Sequence, residues 1–288
     1  MQLRAKWGIH HEDLERIVDG QISAGSFGSV ARGLWFGAPV ALKRLHKFDL
    51  DQCQALLVET NLWYGLRHPH IARLFGACTG GYQLLVSELV GGGRLDKYLT
   101  TGLGVEATWG LLQDAAIGLQ GLHLHGVVHA DLKCDNILVS GDGRAKLIDF
   151  GLSCLHTVDG GKCQGAERWK APECLKGKGP TFASDVFSFG MCIVQAVSGK
   201  LPWGLTMPNS VVRYHVVRAQ LPTKPDALTP VQWELVKRMC RFEPDDRLDL
   251  DFVVKVLGYF AKRAPYVDDR TAQEILATWE SESQAATP

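Results

Sequence analysis

Apolar residues change their spacing near residue 90. Ahead of that point they fall in short runs that read as strands; beyond it they recur at helical spacing. Gln21–Ser23 and Pro39–Leu45 are β-like runs on either side of a glycine-containing stretch. Residues 50–66 read as the one early helix, with Leu56, Leu62 and Leu66 along it. Ile71–Ala77 and Tyr82–Leu89 return to strand character, and Gly91-Gly92-Gly93 reads as a hinge-like break. Residues 106–125 carry Leu111, Leu112, Ala115, Leu119 and Leu122 on one stripe, the mark of an amphipathic helix. Residues 183–198 and 230–241 read the same way, the second with Thr229 as N-cap and Pro230 at the first helical position. Residues 156–180, rich in Gly and Lys, read as a long loop, and loops of that length inside a domain tend to carry function. From Ala264 the sequence predicts one short helix and then a polar, frayed end.

Composition narrows the classes. The 288 residues hold 31 Lys+Arg and 31 Asp+Glu, a balance that argues against a dedicated binder of nucleic acid or of anionic membranes. Hydrophobic residues make up 46% and charged residues 22%, enough apolar surface to exclude disorder as the main state. At about 100–200 residues per domain, the length predicts two lobes or domains. No two of the 8 cysteines form a C-x-x-C pair, so a zinc knuckle or dithiol redox site has no support. Scattered cysteines of this kind pack as small hydrophobes in reduced compartments. The start, MQLRAKWGIH, lacks the apolar centre of a signal peptide, and Met191–Val197 is too short to span a bilayer. These features predict a cytosolic or nuclear chain with no membrane contact of its own; a regulatory or membrane segment stays open if it is a fragment of a longer product.

The chemistry lies in an ordered set of short motifs. Ser23-Ala24-Gly25-Ser26-Phe27-Gly28-Ser29-Val30 places two glycines where backbone can approach a phosphate. Val40-Ala41-Leu42-Lys43 ends an apolar run on a cation, and Glu59 lies in the helix that follows. Then come His129-Ala130-Asp131-Leu132-Lys133-Cys134-Asp135-Asn136, Asp149-Phe150-Gly151 and Ala171-Pro172-Glu173. Asp185 opens the helix of SDVFSFG, and Arg247 closes EPDDR. Each alone has a plain structural explanation: a glycine hairpin, a strand ending in Lys, a solvated Glu.

In this order, over residues 12–262, the motifs resemble the eukaryotic protein kinase domain. Trp35–Lys43, Arg168-Trp169-Lys170-Ala171-Pro172-Glu173 and Trp233-Glu234-Leu235 resemble its tyrosine-kinase-like group, which includes Raf-like and mixed-lineage kinases, and within it the expanded families of microbial eukaryotes. The resemblance implies an α+β, bilobal fold: a small, mainly β lobe over 12–89, a larger, mainly α lobe over 90–262, and a tail over 263–288. It implies ATP and Mg²⁺ as cofactors and protein substrates as partners. The backbone of Ser23–Gly28 would cover the phosphates. Of Ile22, Ser23, Ala24, Gly25, Ser26, Phe27, Gly28, Val30, Ala41 and Leu138, the last three would wall the adenine. Ser87 would be a small gatekeeper, opening a pocket behind the nucleotide, and Glu88, Leu89 and Val90 the hinge. Lys43 would pair with the α- and β-phosphates and be held by Glu59. Asn136 and Asp149 would hold the metal, Asp131 would accept the hydroxyl proton, and Lys133 would neutralise the γ-phosphate. Lys133 favours Ser/Thr hydroxyls. Trp63, Leu74, Phe150 and His129 match a stack that forms only when the Glu59 helix and the Asp-Phe-Gly segment are both inward. Trp63 is bulkier than the aliphatic residue usual in that stack. Glu173 and Arg247 match a buried ion pair.

Four residues depart from the family pattern. Ser23 replaces a first glycine, and Ala130 replaces the Arg that normally reads a phosphorylated loop. That second change predicts activity independent of loop phosphorylation at Ser153 or Thr157 read through this position. Ala166 replaces a Thr whose hydroxyl normally bonds the catalytic Asp and Lys. Lys170 replaces a Met and puts positive charge near the substrate groove, where it would favour acidic residues or simply be solvated. Two other readings stay open: a nucleotide-binding pseudokinase acting as scaffold or switch, and a small-molecule phosphotransferase on the same fold. His123-x-His125 sits at the end of a helix and is read as structural rather than metal-binding. Cys134 and Cys154 fall near the expected cleft, where reactivity would need a lowered thiol pKa.

Overall fold

The computed structural model describes residues 6–24, 28–45, 50–78, 83–102, 104–156, 164–263, 273–274 and 276–278, with backbone alone at 16–24, 45, 50–56 and 263. Its first part is β1 (Leu14–Ala24), β2 (Gly28–Trp35), β3 (Ala38–Leu45), helix α1 (Leu50–Tyr64), β4 (Leu74–Cys78) and β5 (Leu84–Glu88). The strands form one antiparallel sheet in the order β1-β2-β3-β5-β4. Trp35 pairs with Ala38 across Phe36 and Gly37, both at positive φ (48 and 76), the backbone a two-residue hairpin needs to match strand twist. Strand alternation then sorts β3. Val40 and Leu42 are buried with Val86 on one face, under Ile9, Leu14, Trp35 and Phe75. Ala41 and Lys43, at the intervening positions, take the other face, toward the second lobe.

The segment Trp7–Leu14 packs on this lobe and joins its sheet. Gly8 bridges Ala77 in parallel, Ile9 N–H donates to Ala77 O at 2.9 Å and Ala77 N–H to Trp7 O at 2.9 Å. Trp7 Nε1 donates to Asn61 Oδ1 (2.9 Å) and Tyr64 OH to Lys6 O (3.1 Å), which ties the same segment to α1. Gly76 permits this approach: a Cβ there would lie 2.2 Å from Trp7 O.

The second part runs α2 (Leu95–Tyr98), α3 (Val105–Leu124), β6 (Val127–Val128), β7 (Ile137–Val139), β8 (Ala145–Leu147), β9 (Cys154–Leu155), α4 (Pro172–Leu175), α5 (Phe182–Ser198), α6 (Asn209–Val216), α7 (Pro230–Met239) and α8 (Leu250–Arg263). The α3 stripe Leu111, Leu112, Ala115, Leu119 and Leu122 is buried, and Trp109 meets Phe260 of α8 edge-on at 5.0 Å. Helix α5 is buried nearly all round. It starts on a capping box of Thr181 and Ser184, as α7 does on Thr229 and Gln232. The architecture is the expected α+β pair of lobes. Among the described residues no helix is long and apolar enough to cross a membrane.

Several elements differ from the sequence expectations. The strand expected from Ile71 starts only at Leu74, because Ile71 bridges to Leu147 of the other lobe instead. Residues 156–180 include a 3-10 turn at Glu167–Trp169 and α4, so they are not all loop. Strand β2, whose two glycines dilute its apolar pattern, was not expected, nor were α2, α6 and α8. The α8 stripe Val253, Val256, Leu257 and Phe260 does carry the helical period.

The Glu173–Arg247 pair is buried and fully hydrogen-bonded. Both guanidinium arms donate to Glu173 at 2.7 Å, and Arg247 also donates to Ala183 O and Arg241 O at 2.8 Å. Arg247→Met strands the buried carboxylate and is expected to cost about 3–5 kcal/mol in urea unfolding. The double variant Glu173→Leu/Arg247→Met should lose less than the single one.

Candidate active site

Three elements meet at one ammonium. Lys43 of β3 donates to Glu59 Oε1 of α1 at 2.8 Å and to Asp149 Oδ1 at 2.7 Å. Burial alone would drive Lys43 toward its neutral form, but the two carboxylates outweigh it and hold the ammonium above the ordinary lysine range. Burial pushes Glu59 up against the pull of Lys43. Burial also pushes Asp149 up, yet there the charge and hydrogen bond of Lys43 prevail and hold it low. Asp149 is the more exposed, 28% against 6% for the Glu59 side chain, and also feels the pull of His129 and Lys133, whereas Glu59 is pushed further up by Asp149. The trio opens to solvent through this more exposed carboxylate, Asp149.

Across the cleft, Asp131 is buried and held on every side. Lys133 Nζ lies 2.5 Å from its Oδ2, Asn136 Nδ2 donates to its carbonyl (2.8 Å) and Oδ2 (3.1 Å), and Ala166 N–H donates to Oδ1 (3.1 Å). Residue 166 thus still holds Asp131 through its backbone N–H, a contact that does not depend on the hydroxyl Ala166 lacks. With the Asn136 amide nitrogen engaged on Asp131, its oxygen is the end left for a cation. Ile148 N–H donates to Asn136 O at 3.0 Å, which sets Asn136 beside the chain that leads into Asp149. Amide and carboxylate oxygens are the donors a hard divalent cation prefers.

Asp185 of α5 fixes the backbone beneath. Its carboxylate accepts from His129 N–H (2.8 Å) and Ala130 N–H (2.9 Å), and His123 Nε2 lies 3.0 Å away. Ala130 sits at φ 66, a left-handed backbone that two consecutive bonds to Asp185 hold in place. Asp149 is also left-handed, at φ 66. Such conformations cost about 1–3 kcal/mol each and persist where the surroundings over-determine them. The expected stack is assembled: Phe150 lies 5.2 Å from Trp63 and 5.5 Å from His129, ring to ring, and Leu74 is buried in the same core. Trp63 Nε1 donates to Ala72 O at 2.6 Å, so the bulky ring also ties α1 to the chain after it.

The expected nucleotide residues take these places. Val30 pairs with Lys43 and Ala41 with Ser87 on the cleft face of the sheet, and Leu138 is half-buried on β7 below. Ser87 is buried, paired also with Leu74. Ile22, Ser23 and Ala24 end β1, and Gly28 begins β2; Gly25, Ser26 and Phe27 lie outside the described residues, as does Thr157. Leu89 is half-buried and Val90 buried in the connection to the large lobe. Glu88 N–H is committed to Arg73 O at 2.8 Å, and its carboxylate meets Lys146 Nζ at 2.5 Å, a contact the sequence did not announce. Ser153 is buried and donates to His129 O at 3.0 Å, so its hydroxyl is engaged in this state. Cys134 is buried against Cys192 O, and His125 Nδ1 lies 2.7 Å from Gly121 O.

Sequence reasoning also missed Gly165. At φ 103, a Cβ there would lie 2.4 Å from Asp131 Oδ1. Gly165→Ala is expected to push the carboxylate aside and lower any turnover that depends on Asp131 about a hundredfold. Circular dichroism should show the fold retained.

The family described as protein tyrosine and serine/threonine kinase matches residues 17–257. A probable serine/threonine-protein kinase of Dictyostelium discoideum is 34% identical over 205 residues, 68% of this chain and 34% of that protein. The serine/threonine/tyrosine-protein kinase HT1 of Arabidopsis thaliana is 30% identical over 263 residues, 85% of this chain and 66% of that protein. Tyrosine-protein kinase SRK2 of Spongilla lacustris is 33% identical over 255 residues, 84% of this chain and 68% of that protein. The chain spans 34% of the first of these relatives, and 23% and 44% of two further ones from Dictyostelium discoideum and Arabidopsis thaliana. The chain belongs to the protein tyrosine and serine/threonine kinase family.

Proposed function

We propose that this chain transfers the γ-phosphate of Mg-ATP to Ser or Thr hydroxyls of protein substrates. The observation that carries the reading is Asp131, a buried carboxylate oriented by Lys133, Asn136 and Ala166 N–H, together with a Lys43–Glu59–Asp149 cluster whose Asp149 feels the charge of that same Lys133. Phosphoryl transfer asks a protein chiefly for positioning and charge neutralisation. Lys43, kept charged by its two carboxylates, would hold the α- and β-phosphates. Ile22–Gly28, Val30, Ala41 and Leu138 would enclose the nucleotide, with Ser87 behind it and Glu88–Val90 along its edge. A magnesium ion held by Asn136 and Asp149 would neutralise phosphate charge. Asp131 would take the hydroxyl proton, and Lys133, beside it, would steady the moving phosphoryl group.

Lys133 supports Ser/Thr as acceptors, as do the serine/threonine kinases among the relatives; Ala166 and the tyrosine-kinase relatives make Tyr the outcome to test against. Single cysteines scattered along the sequence with no C-x-x-C pair support a reducing compartment, the cytosol or nucleus.

The test is transfer of labelled γ-phosphate to the chain itself and to a generic protein substrate, with Asp131→Asn alongside. The wild type should label Ser or Thr, and the variant should fall by about 10²–10⁴-fold. Label found on Tyr would overturn the acceptor assignment. A wild type that transfers nothing, yet is stabilised by Mg-ATP in thermal unfolding, would be a pseudokinase.

A further inference from the structure

We propose that the groove between α4 and α6 docks an acidic segment of the protein substrate, a proposal that rests on the kinase reading above. The chain is neutral as a whole, but its stretch from 164 to 220 is not, and the acidic run nearest in sequence to the groove's contacts is Glu243, Asp245 and Asp246, after the Phe242 that Lys176 covers. Between residues 164 and 220 the carboxylates are Glu167, Glu173 and Asp185. Glu173 is buried on Arg247 and Asp185 is buried beneath the catalytic loop, which leaves Glu167 alone near the surface. Lys176, Lys178, Lys200, Arg213 and Arg218 of the same stretch are exposed.

Three of these cations gather in one place. A groove of about 440 Å³ is lined by Leu175, Lys176, Arg213, Val217 and Arg218. Its apolar floor is two side chains, and its walls are all positive. The cations are held mainly by groups that carry no negative charge. Arg213 Nη2 donates to Leu175 O, while its Nη1 lies 3.9 Å from Glu167 Oε1. The Arg218 guanidinium stacks over the Tyr214 ring at 3.6 Å and donates to Tyr214 O at 3.2 Å. The Lys176 ammonium sits 4.2 Å above the Phe242 ring. Carbonyls and rings restrain these side chains without cancelling their charge, so binding an anion there loses little side-chain freedom.

The groove is joined to the chemistry. Ala166 N–H donates to Asp131 Oδ1, and the next residue, Glu167, is the one that approaches Arg213. A substrate with its hydroxyl at Asp131 and its chain along residues 165–170 would bring nearby residues to the groove. Charge complementarity then selects Asp and Glu there. The other side of α6 differs: the cavity of about 910 Å³ lined by Trp203 and His215 mixes Lys200 and Lys224 with Asp226.

Peptides that share one acceptor hydroxyl and differ only in acidic, neutral or basic flanks test this by kcat/KM. In parallel, an acidic peptide with Ala in place of the acceptor is titrated by fluorescence anisotropy, which needs no catalysis. A few exposed charge pairs should give the wild type about a tenfold preference for the acidic over the neutral flank, fading as salt rises. Arg218→Glu should weaken both the preference and the binding, and Lys176→Glu/Arg218→Glu, which leaves the Arg213 contacts in place, should abolish them. Lys200→Glu changes net charge as much as Arg218→Glu and should leave both unchanged. A preference for basic flanks, equal loss in Arg218→Glu and Lys200→Glu, or equally tight binding of heparin or anionic vesicles would overturn the proposal. Should no peptide be phosphorylated, the kinase reading fails, and the anisotropy series still decides the groove.

Discussion

The Lys43 ammonium is shared by three stretches of chain that arrive from different directions. β3 brings the cation, α1 brings Glu59 and the turn after β8 brings Asp149. None of these contacts is local, so the geometry of each element depends on the other two. A buried lysine without partners would shed its proton; here two carboxylates keep it charged. The aromatic stack of Trp63, Phe150 and His129 runs beside this trio and uses the same α1 and the same Asp149 segment. Electrostatics and packing therefore report one arrangement of the lobes. The Glu173–Arg247 pair is of another kind: it is sealed inside the large lobe, with the guanidinium donating to the Glu173 carboxylate and to the carbonyls of Ala183 and Arg241, so it supports the frame without facing the cleft.

Strand register decides where the cation points. Val40 and Leu42 bury on the outer face of the small sheet, and that fixes Ala41 and Lys43 on the cleft side. A slip of one residue would exchange the two sets and carry the ammonium out of reach of Glu59. The hairpin at Phe36-Gly37 helps prevent such a slip, because its left-handed residues fix the pairing of Trp35 with Ala38. A surface feature far from the chemistry thus sets one of its coordinates.

Much of this was legible in the sequence because the chemistry is written in short, ordered motifs. The β3 pattern, the α3 stripe and the Thr229-Pro230 helix start follow from local rules, and the structure contains them. The less legible parts are those that distance creates. Nothing near Gly165 announces that its Cα passes within a methyl group of Asp131, and nothing near Asp185 shows that it will clasp the backbone of His129 and Ala130. Ala166 read as a lost hydroxyl, while its backbone N–H bonds the carboxylate in any case. Helix α6 was missed for a local reason, since it is only eight residues long and directly follows Pro208, although Val212 and Val216 do mark a buried face.

The parallel bridge of Gly8 to Ala77 also bears on how the protein behaves in solution. β4 is the last strand of its sheet, and the N-terminal segment occupies the N–H and C=O of Ala77 on that edge, which would otherwise be open to another chain. Unpaired strand edges are templates for pairing with another molecule. Proteolytic loss of Trp7–Ile9 would therefore bare an adhesive edge and remove the Trp7 contact on the Glu59 helix in one event. Self-association and a loosened cleft would then appear together, with a single nick as their common origin.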